Sequence, residues 1–329
     1  MFKHLSIFLL CSLSVFASEQ ITPVRPPAQE ITPKGQTFVQ NGVAMPYVSA
    51  SLIYWKARED GLQYIVTGQS GFRGKVYEPD FEGHLGFKAG LGVNLGHDGW
   101  DVYLQYTYFD SDAADDFHRP IGEELLGTGF LIGGVNKSHA KWDFHIDIFD
   151  LEWARLFYIS PYLMLRPFFG LKGYLSDQDY QVRSEGYSDV NRTVSNSDRI
   201  RYDVDQWGMG IRGGLQNSFC FTKNFSIFGN LALAAEWSRF HLRLREDSAT
   251  ALLLRLKNER YQMVPVLELA VGLRWDIYFY QEKFHFGLEW GWEEQMWWDF
   301  SHAFDLFNRG SSGGNLNFQG LTVRSRFDF

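Results

Sequence analysis

The sequence predicts an all-β protein, a transmembrane antiparallel up-and-down β-barrel of about ten strands, within a range of about 8 to 14. Three observations predict it. Reading back from the end, Phe329, Phe327, Val323 and Leu321 share one parity with only Ser325 between them, while Asp328, Arg326, Arg324 and Thr322 share the other. A strand displays such a period of two as one apolar and one charged face. At the other end, Lys3 precedes an apolar run over residues 5–17, broken only by Ser6, Ser12 and Ser14 and ending Val15-Phe16-Ala17. This is the pattern of a secretory signal, too short to be an anchor, with small residues where a signal peptidase inspects the chain. Aromatics make up 17% of the chain, with 29 Phe, 16 Tyr and 11 Trp beside 32 Gly. Aromatic girdles and glycine-dotted strands suit a wall whose outer surface is lipid.

The expected organisation is a signal peptide over 1–17, an extended periplasmic leader over 18–45 and a barrel over 46–329. The leader reading rests on Pro23, Pro26, Pro27 and Pro33 among Thr, Gln and Glu. Cys11 is not read as a lipoprotein cysteine, because Leu10 rather than a small residue precedes it. Cys220 is then the one cysteine left, so no intramolecular disulfide forms. No stretch approaches eighteen consecutive apolar residues, the length a transmembrane helix needs. Without Lys3 the balance is 30 basic to 39 acidic residues, which argues against nucleic acid as a partner.

From Tyr47 the two-residue period recurs to the end. The first strand sets Val48, Ala50, Leu52 and Tyr54 against Ser49 and Ser51. The second sets Phe87, Ala89, Leu91, Val93 and Leu95 against Lys88, Gly90, Gly92 and Asn94, and Gly96-His97-Asp98-Gly99 turns the chain. The third sets Val102, Leu104, Tyr106 and Tyr108 against Asp101, Tyr103, Gln105 and Thr107. In the fourth the apolar parity is even at Trp142, Phe144, Ile146 and Ile148, then odd at Phe149, Leu151 and Trp153. A bulge at Ile148 and Phe149 is the expected cause. The fifth places Leu163, Leu165, Pro167, Phe169 and Leu171 outward, with Arg166 and Lys172 inward. The sixth places Trp207, Met209, Ile211 and Leu215 outward and Arg212 inward; the seventh Ile227, Leu231, Leu233, Ala235 and Trp237 outward and Glu236 inward. Leu267, Leu269, Val271, Leu273 and Trp275 follow, opposite Glu268 and Arg274. Phe284, Phe286, Leu288, Trp290 and Trp292 then stand opposite His285 and Glu289. The closing strand is the tenth.

Connections alternate in expected length. Long ones fall near 57–82, 110–138, 182–199, 246–256 and 300–314, and short ones at 96–99, 160–161, 217–224 and 277–282. Long loops outside and short turns in the periplasm are the outer-membrane arrangement. Closure follows from lipid, which offers an open strand edge no hydrogen-bond partner. The predicted location is therefore the bacterial outer membrane, with outer-membrane lipid around the wall and the barrel-assembly machinery engaging the C-terminal strand that ends in Phe329.

The inward parity collects the candidate site: Lys88, Asp101, Arg166, Lys172, Arg212, Glu236, Glu268, Arg274, Glu289, Arg324 and Arg326. Lumen charges set ion selectivity and the size of what passes. They equally neutralise one another and fill a narrow barrel, and ten strands lie between filled eight-stranded barrels and open sixteen-stranded ones. Residues 110–138 hold Asp110, Asp112, Asp115 and Asp116 before an apolar, Gly-rich stretch over 125–135. Three readings stand: a constriction folded into the lumen, a further wall hairpin, or a solvated acidic loop. Gly208, Gly210 and Gly213 match G-x-G-x-x-G, but in a strand they relieve crowding rather than bind a dinucleotide. Nine histidines, no two closer than six residues, give no metal-ligand spacing, and no cofactor is expected. A rim hydrolase would draw on Asp110, Asp112, His118 and His302.

Four stretches resemble the Legionella-type major outer membrane proteins, pore-forming barrels also found in chlamydia-related bacteria. They run from Tyr54-Trp55-Lys56-Ala57-Arg58-Glu59-Asp60-Gly61-Leu62 and Gly86-Phe87-Lys88-Ala89-Gly90-Leu91-Gly92, through Asp150-Leu151-Glu152 with Leu165-Arg166-Pro167-Phe168-Phe169-Gly170-Leu171-Lys172, to Gln319-Gly320-Leu321-Thr322-Val323-Arg324-Ser325-Arg326-Phe327-Asp328-Phe329. The resemblance implies a porin-like role without enzyme activity, in which small polar solutes or ions diffuse through a charged lumen. Family members often use several cysteines for cross-linked envelopes, and this chain keeps only Cys220. A homo-oligomer is an open expectation. The alternative is a structural or adhesive surface protein with a filled barrel, acting through its extracellular loops.

Overall fold

In the computed structural model each of the ten expected strands is present, and the last pairs with the first. The structure describes residues 44–69, 73–118, 125–127, 136–187, 196–248, 252–280, 283–301, 304–305, 310–311 and 314–329. The expected signal peptide and nearly all of the expected leader lie outside them. The ring strands are β1 (Met45–Glu59), β2 (Gly83–Asn94), β3 (Trp100–His118), β4 (Lys137–Arg155), β5 (Leu163–Tyr187), β6 (Asn196–Cys220), β7 (Phe225–Ser248), β8 (Leu252–Phe279), β9 (Phe284–Ser301) and β10 (Gly314–Asp328). Each pairs antiparallel with its sequence neighbours, and β1 meets β10 from Tyr47 opposite Asp328 to Glu59 opposite Leu316. Closure leaves the membrane-spanning part without an edge. The turn from β2 to β3 is the expected tetrapeptide, with Gly96, Asp98 and Gly99 all at positive φ. That region is open to Gly and tolerated by Asp.

The outer face divides into two zones. On β5 the outward positions are apolar from 163 to 175, then become Asp177, Asp179, Gln181 and Arg183. On β7 they are apolar from 225 to 237, then become Arg239, His241, Arg243 and Arg245. Apolar belts of this length match the roughly 9–11 tilted residues that cross a bilayer. Strands β5 to β8 are 24 to 28 residues long, so β5 and β7 carry roughly 35–40 Å of strand beyond the belt. Several long loops expected from the sequence are therefore strand: 110–118 belongs to β3, 182–187 to β5, and β7 and β8 are separated only by residues 249–251.

The expected bulge in β4 is absent. Its registers with β3 and β5 run unbroken through Ile148 and Phe149. What changes is the surroundings: Trp142, Phe144, Ile146 and Ile148 are buried inside the barrel, while Phe149, Leu151 and Trp153 face lipid. Low in the barrel the apolar side is outside; above the belt it is inside.

Short strands accompany the ring. Asp80–Phe81 pairs with β3, and Phe157–Tyr158 with β5. Ile65–Gln69, Arg73–Tyr77 and Leu125–Gly127 form a separate three-stranded sheet. Residues 125–127 thus add no hairpin to the wall; residues 128–135 of the expected apolar stretch lie outside the described residues.

At the periplasmic end, side chains fasten the seam. His285 Nδ1 lies 2.6 Å from Asp328 Oδ2 and its Nε2 lies 2.9 Å from Asp276 Oδ1. Arg326 Nη2 donates to Asp328 at 2.6 Å and its guanidinium covers the Tyr47 ring at 3.6 Å. One carboxylate thus links β10 to β9 and, through Arg326 and Tyr47, to β1. Asp328→Asn is expected to lower stability by about 1–3 kcal/mol, read as an earlier loss of the compact gel form on heating.

Candidate functional site

All eleven candidate lumen residues point inward, and ion pairs bind most of them to one another. Arg166 Nη2 donates to Asp101 at 2.5 Å and Nη1 to Glu152 at 2.8 Å. Arg212 Nη1 donates to Glu152 at 2.6 Å and Nη2 to Glu268 at 2.6 Å. Lys172 Nζ lies 3.0 Å from Asp150 and 2.9 Å from Glu268. Lys88 pairs with Glu293 at 2.5 Å, and Arg274 with Glu289 at 2.6 Å. Arg324 covers the Tyr103 ring at 5.1 Å. Glu236 stands apart: it is wholly buried, and neither carboxylate oxygen has a hydrogen-bond partner among the described residues.

The backbone makes room for this layer. Gly170 sits between Glu152 and Arg212 in the cross-strand register. A Cβ there would lie 1.7 Å from the Leu151 carbonyl oxygen, so only glycine lets β5 approach the β4 backbone this closely beneath the Arg212–Glu152 pair. Gly210 does the same between Lys172 and Glu236, where a Cβ would lie 1.9 Å from the Ala235 carbonyl oxygen. The G-x-G-x-x-G match is thus a wall feature. Cavities of about 40 and 90 Å³ lie in the polar layer. The larger has room for several waters.

Above the polar layer the interior turns apolar. Trp55 of β1, Phe109 of β3 and Phe318 of β10 meet with ring centroids 5.6 to 5.8 Å apart, and Phe144 of β4 lies 5.8 Å from Phe318. Tyr174 of β5 and Phe300 of β9 flank Trp297 at 5.1 and 5.6 Å. The connection from β1 to β2 closes over them: Leu62, Tyr64 and Ile65 are buried, Tyr180 donates to the Leu62 carbonyl at 2.7 Å, and Tyr64 donates to Asp115 at 2.6 Å. An inward-folded segment exists at Leu62, Tyr64 and Ile65, and Ile65–Thr67 pairs with Leu125–Gly127; the rest of the expected constriction, residues 128–135, lies outside the described residues.

Sequence reasoning missed Asp150, Glu152, Asp276, Glu293 and Asp328 as members of the layer. Asp150 and Glu152 alternate with Phe149, Leu151 and Trp153, a legible signal that the expected bulge obscured. The acids offered for a rim hydrolase do not converge on the lumen. Asp110 and Asp112 lie on the outer face of β3, His118 ends that strand, and His302 lies outside the described residues.

Near the extracellular end, Asp198 of β6 is buried beside Glu246 of β7. Burial, and then the Glu246 carboxylate, push its pKa up to about 7. A carboxyl whose folded pKa is raised holds its proton more tightly when folded. Its contribution is therefore complete below about pH 4 and declines as pH rises through about 7. Protection factors at the β6–β7 rim, taken relative to the intrinsic base-catalysed rate, are expected to fall between about pH 4 and 7, and Asp198→Asn to flatten that dependence.

The family described as the Legionella pneumophila major outer membrane protein precursor matches residues 45–329, from the first residue of β1 to the end of β10. The chain belongs to this family. It is an outer membrane protein, and its fold is that of an outer-membrane β-barrel. None of the curated proteins matches it. Among solved structures it is similar to the outer membrane protease OmpT of Escherichia coli, with 12% identity over 87% of this chain and 96% of that one, at a TM-score of 0.43. A major outer membrane protein of Thermus thermophilus shows 12% identity over 87% and 100%, at 0.33. The attachment invasion locus protein Ail of Yersinia pestis shows 10% over 87% and 99%, at 0.26.

Proposed function

We propose that this family member is a surface protein of the outer membrane, with a sealed barrel that anchors and presents an extracellular platform built on β3 to β8. The observation that carries this reading is the apolar layer across the lumen, in which Trp55, Phe109, Phe318 and Trp297 are all fully buried. Passive diffusion needs a continuous water path, and aromatic rings in mutual contact leave none between them. The lumen charges then serve stability: acids and bases lie in mutual contact, and a compensated network discriminates poorly between cations and anions. On this reading the protein acts by support and binding rather than catalysis. Outer-membrane lipid contacts the belt, and the barrel-assembly machinery receives the strand ending in Phe329. Self-association would use the lipid-facing wall.

A second reading is a gated porin. The charged layer and its 90 Å³ cavity favour it, as does the resemblance to pore-forming proteins, and displacement of the apolar layer would then open a selective lumen. Conductance of the refolded chain in a planar bilayer separates the two. A silent, correctly folded barrel supports the sealed reading; discrete, reproducible steps overturn it.

A further inference from the structure

The outer face of the extracellular wall carries like charges in direct opposition. Register places Arg183 opposite Arg199, Arg201 opposite Arg245, Arg245 opposite Arg255, and Arg243 opposite Lys257. All lie on the parity that faces lipid lower on the same strands, at Trp207, Trp237 and Met263, whereas the other parity, including Tyr202 and Leu244, is buried inside. Opposed side chains in a sheet stand about 4.5–5.5 Å apart at Cβ, and like charges there are destabilising. A row of three arginines across β6, β7 and β8 is thus a cost in the protein alone.

The acids on this face offset much of it, and two pairs of them, Asp177 with Asp205 and Asp179 with Asp203, are themselves opposed. Asp179 and Asp203 pair with Arg201, Asp205 with Arg243 at 2.7 Å and Asp247 with Arg245 at 2.7 Å. Arg183, Arg199, Arg255 and Lys257 have no ion-pair partner among the described residues. Over the whole face eight basic side chains stand with seven acidic ones, Asp177, Glu185 and Glu259 among them, so the cationic excess is local. It lies at Arg245, Arg255 and Lys257 on β7 and β8 and at Arg183 and Arg199 on β5 and β6, aimed away from the barrel.

We propose that this face, centred on Arg201, Arg245 and Arg255, binds the phosphates of anionic glycolipid headgroups in the outer leaflet. Position selects the partner. The patch continues the lipid-facing belt upward on the same strands, and Arg201 and Arg243 each stand six residues above a belt tryptophan. At about 3.3 Å per residue and a tilt of about 40°, that is roughly 15 Å above the aromatic girdle, the depth of a large headgroup rather than of free solution. Chemistry selects the phosphate: guanidinium groups engage it with two parallel hydrogen bonds, and a bound dianion turns the repulsion within the row into shared attraction.

The test uses the full chain folded into zwitterionic bilayer discs, alone, with a glycolipid carrying two phosphates, or with the same glycolipid after removal of its phosphates. Wild type is expected to melt higher with the phosphorylated lipid only. The R201Q/R245Q/R255Q variant is expected to lose that rise and at least tenfold in affinity, about 1.4 kcal/mol. In the zwitterionic discs alone its melting temperature sets its own baseline, because removing Arg201 and Arg245 also breaks their pairs with Asp179, Asp203 and Asp247; the readout is the rise above that baseline when the phosphorylated lipid is added. A control variant, R58Q/K137Q/K141Q, removes outward charges elsewhere and should respond as wild type does. Arg255→Gln alone, which breaks no ion pair, serves if the triple variant does not fold. An equal rise with both glycolipids, a triple variant that responds as wild type, or binding of a soluble sulfated polysaccharide but not of the glycolipid would each overturn the proposal.

Discussion

Trp55→Ala combined with Phe318→Ala is expected to convert a silent barrel into a conducting one. Both residues are fully buried, and they pack against each other and against Phe109 inside the barrel. Removing either ring costs about 3–5 kcal/mol in a packed interior. The pair shares one cavity, so the losses do not simply add. The surrounding wall resists collapse because β1 and β10 are held by a continuous backbone ladder over this stretch. The vacated volume therefore connects the polar layer below with the mouth above, and water enters. Channel recordings should show steps in the variant and none in the wild type, with a lower melting temperature. A variant that folds, melts earlier and stays silent would place the seal elsewhere, at Trp297 and Phe300.

The wall was legible where one side is lipid and the other polar. On β2, β5, β7 and β9 the period-two pattern named the outward and inward residues correctly, and ten strands were counted. Legibility failed where the solvent changes along a strand. In β4 one parity runs Trp142, Phe144, Ile146, Ile148, Asp150, Glu152, apolar above and charged below, while the other runs Lys141, Asp143, His145, Asp147, Phe149, Leu151, the reverse. Neither side chain nor spacing says where water ends, so an unbroken strand read as a bulged one, and charged outward positions such as Asp110 and Asp112 read as loop. The inward fold of Leu62, Tyr64 and Ile65 carries no period at all. Its stabilisation comes from partners far along the chain, notably the Tyr180 hydroxyl. The opposed arginines of β6, β7 and β8 likewise become visible only through register.

Arg212→Gln is expected to be among the most damaging single substitutions in the wall. Arg212 bridges Glu152 and Glu268 and lies 3.6 Å from Asp150, and Lys172 is the next cation in reach of Asp150 and Glu268. Glutamine removes the charge and leaves buried carboxylates competing for one ammonium. Loss of one partner from a buried network costs about 3–5 kcal/mol, a large part of the stability of an ordinary domain. The loss comes from stranded acids rather than from missing contacts, so neutralising an acid should restore it. Arg212→Gln with Glu268→Gln is expected to regain most of the stability in urea unfolding from bilayers. Were the double variant as unstable as the single one, packing over Gly170 and Phe168, whose ring the Arg212 guanidinium covers at 4.8 Å, would be the larger share of what Arg212 contributes.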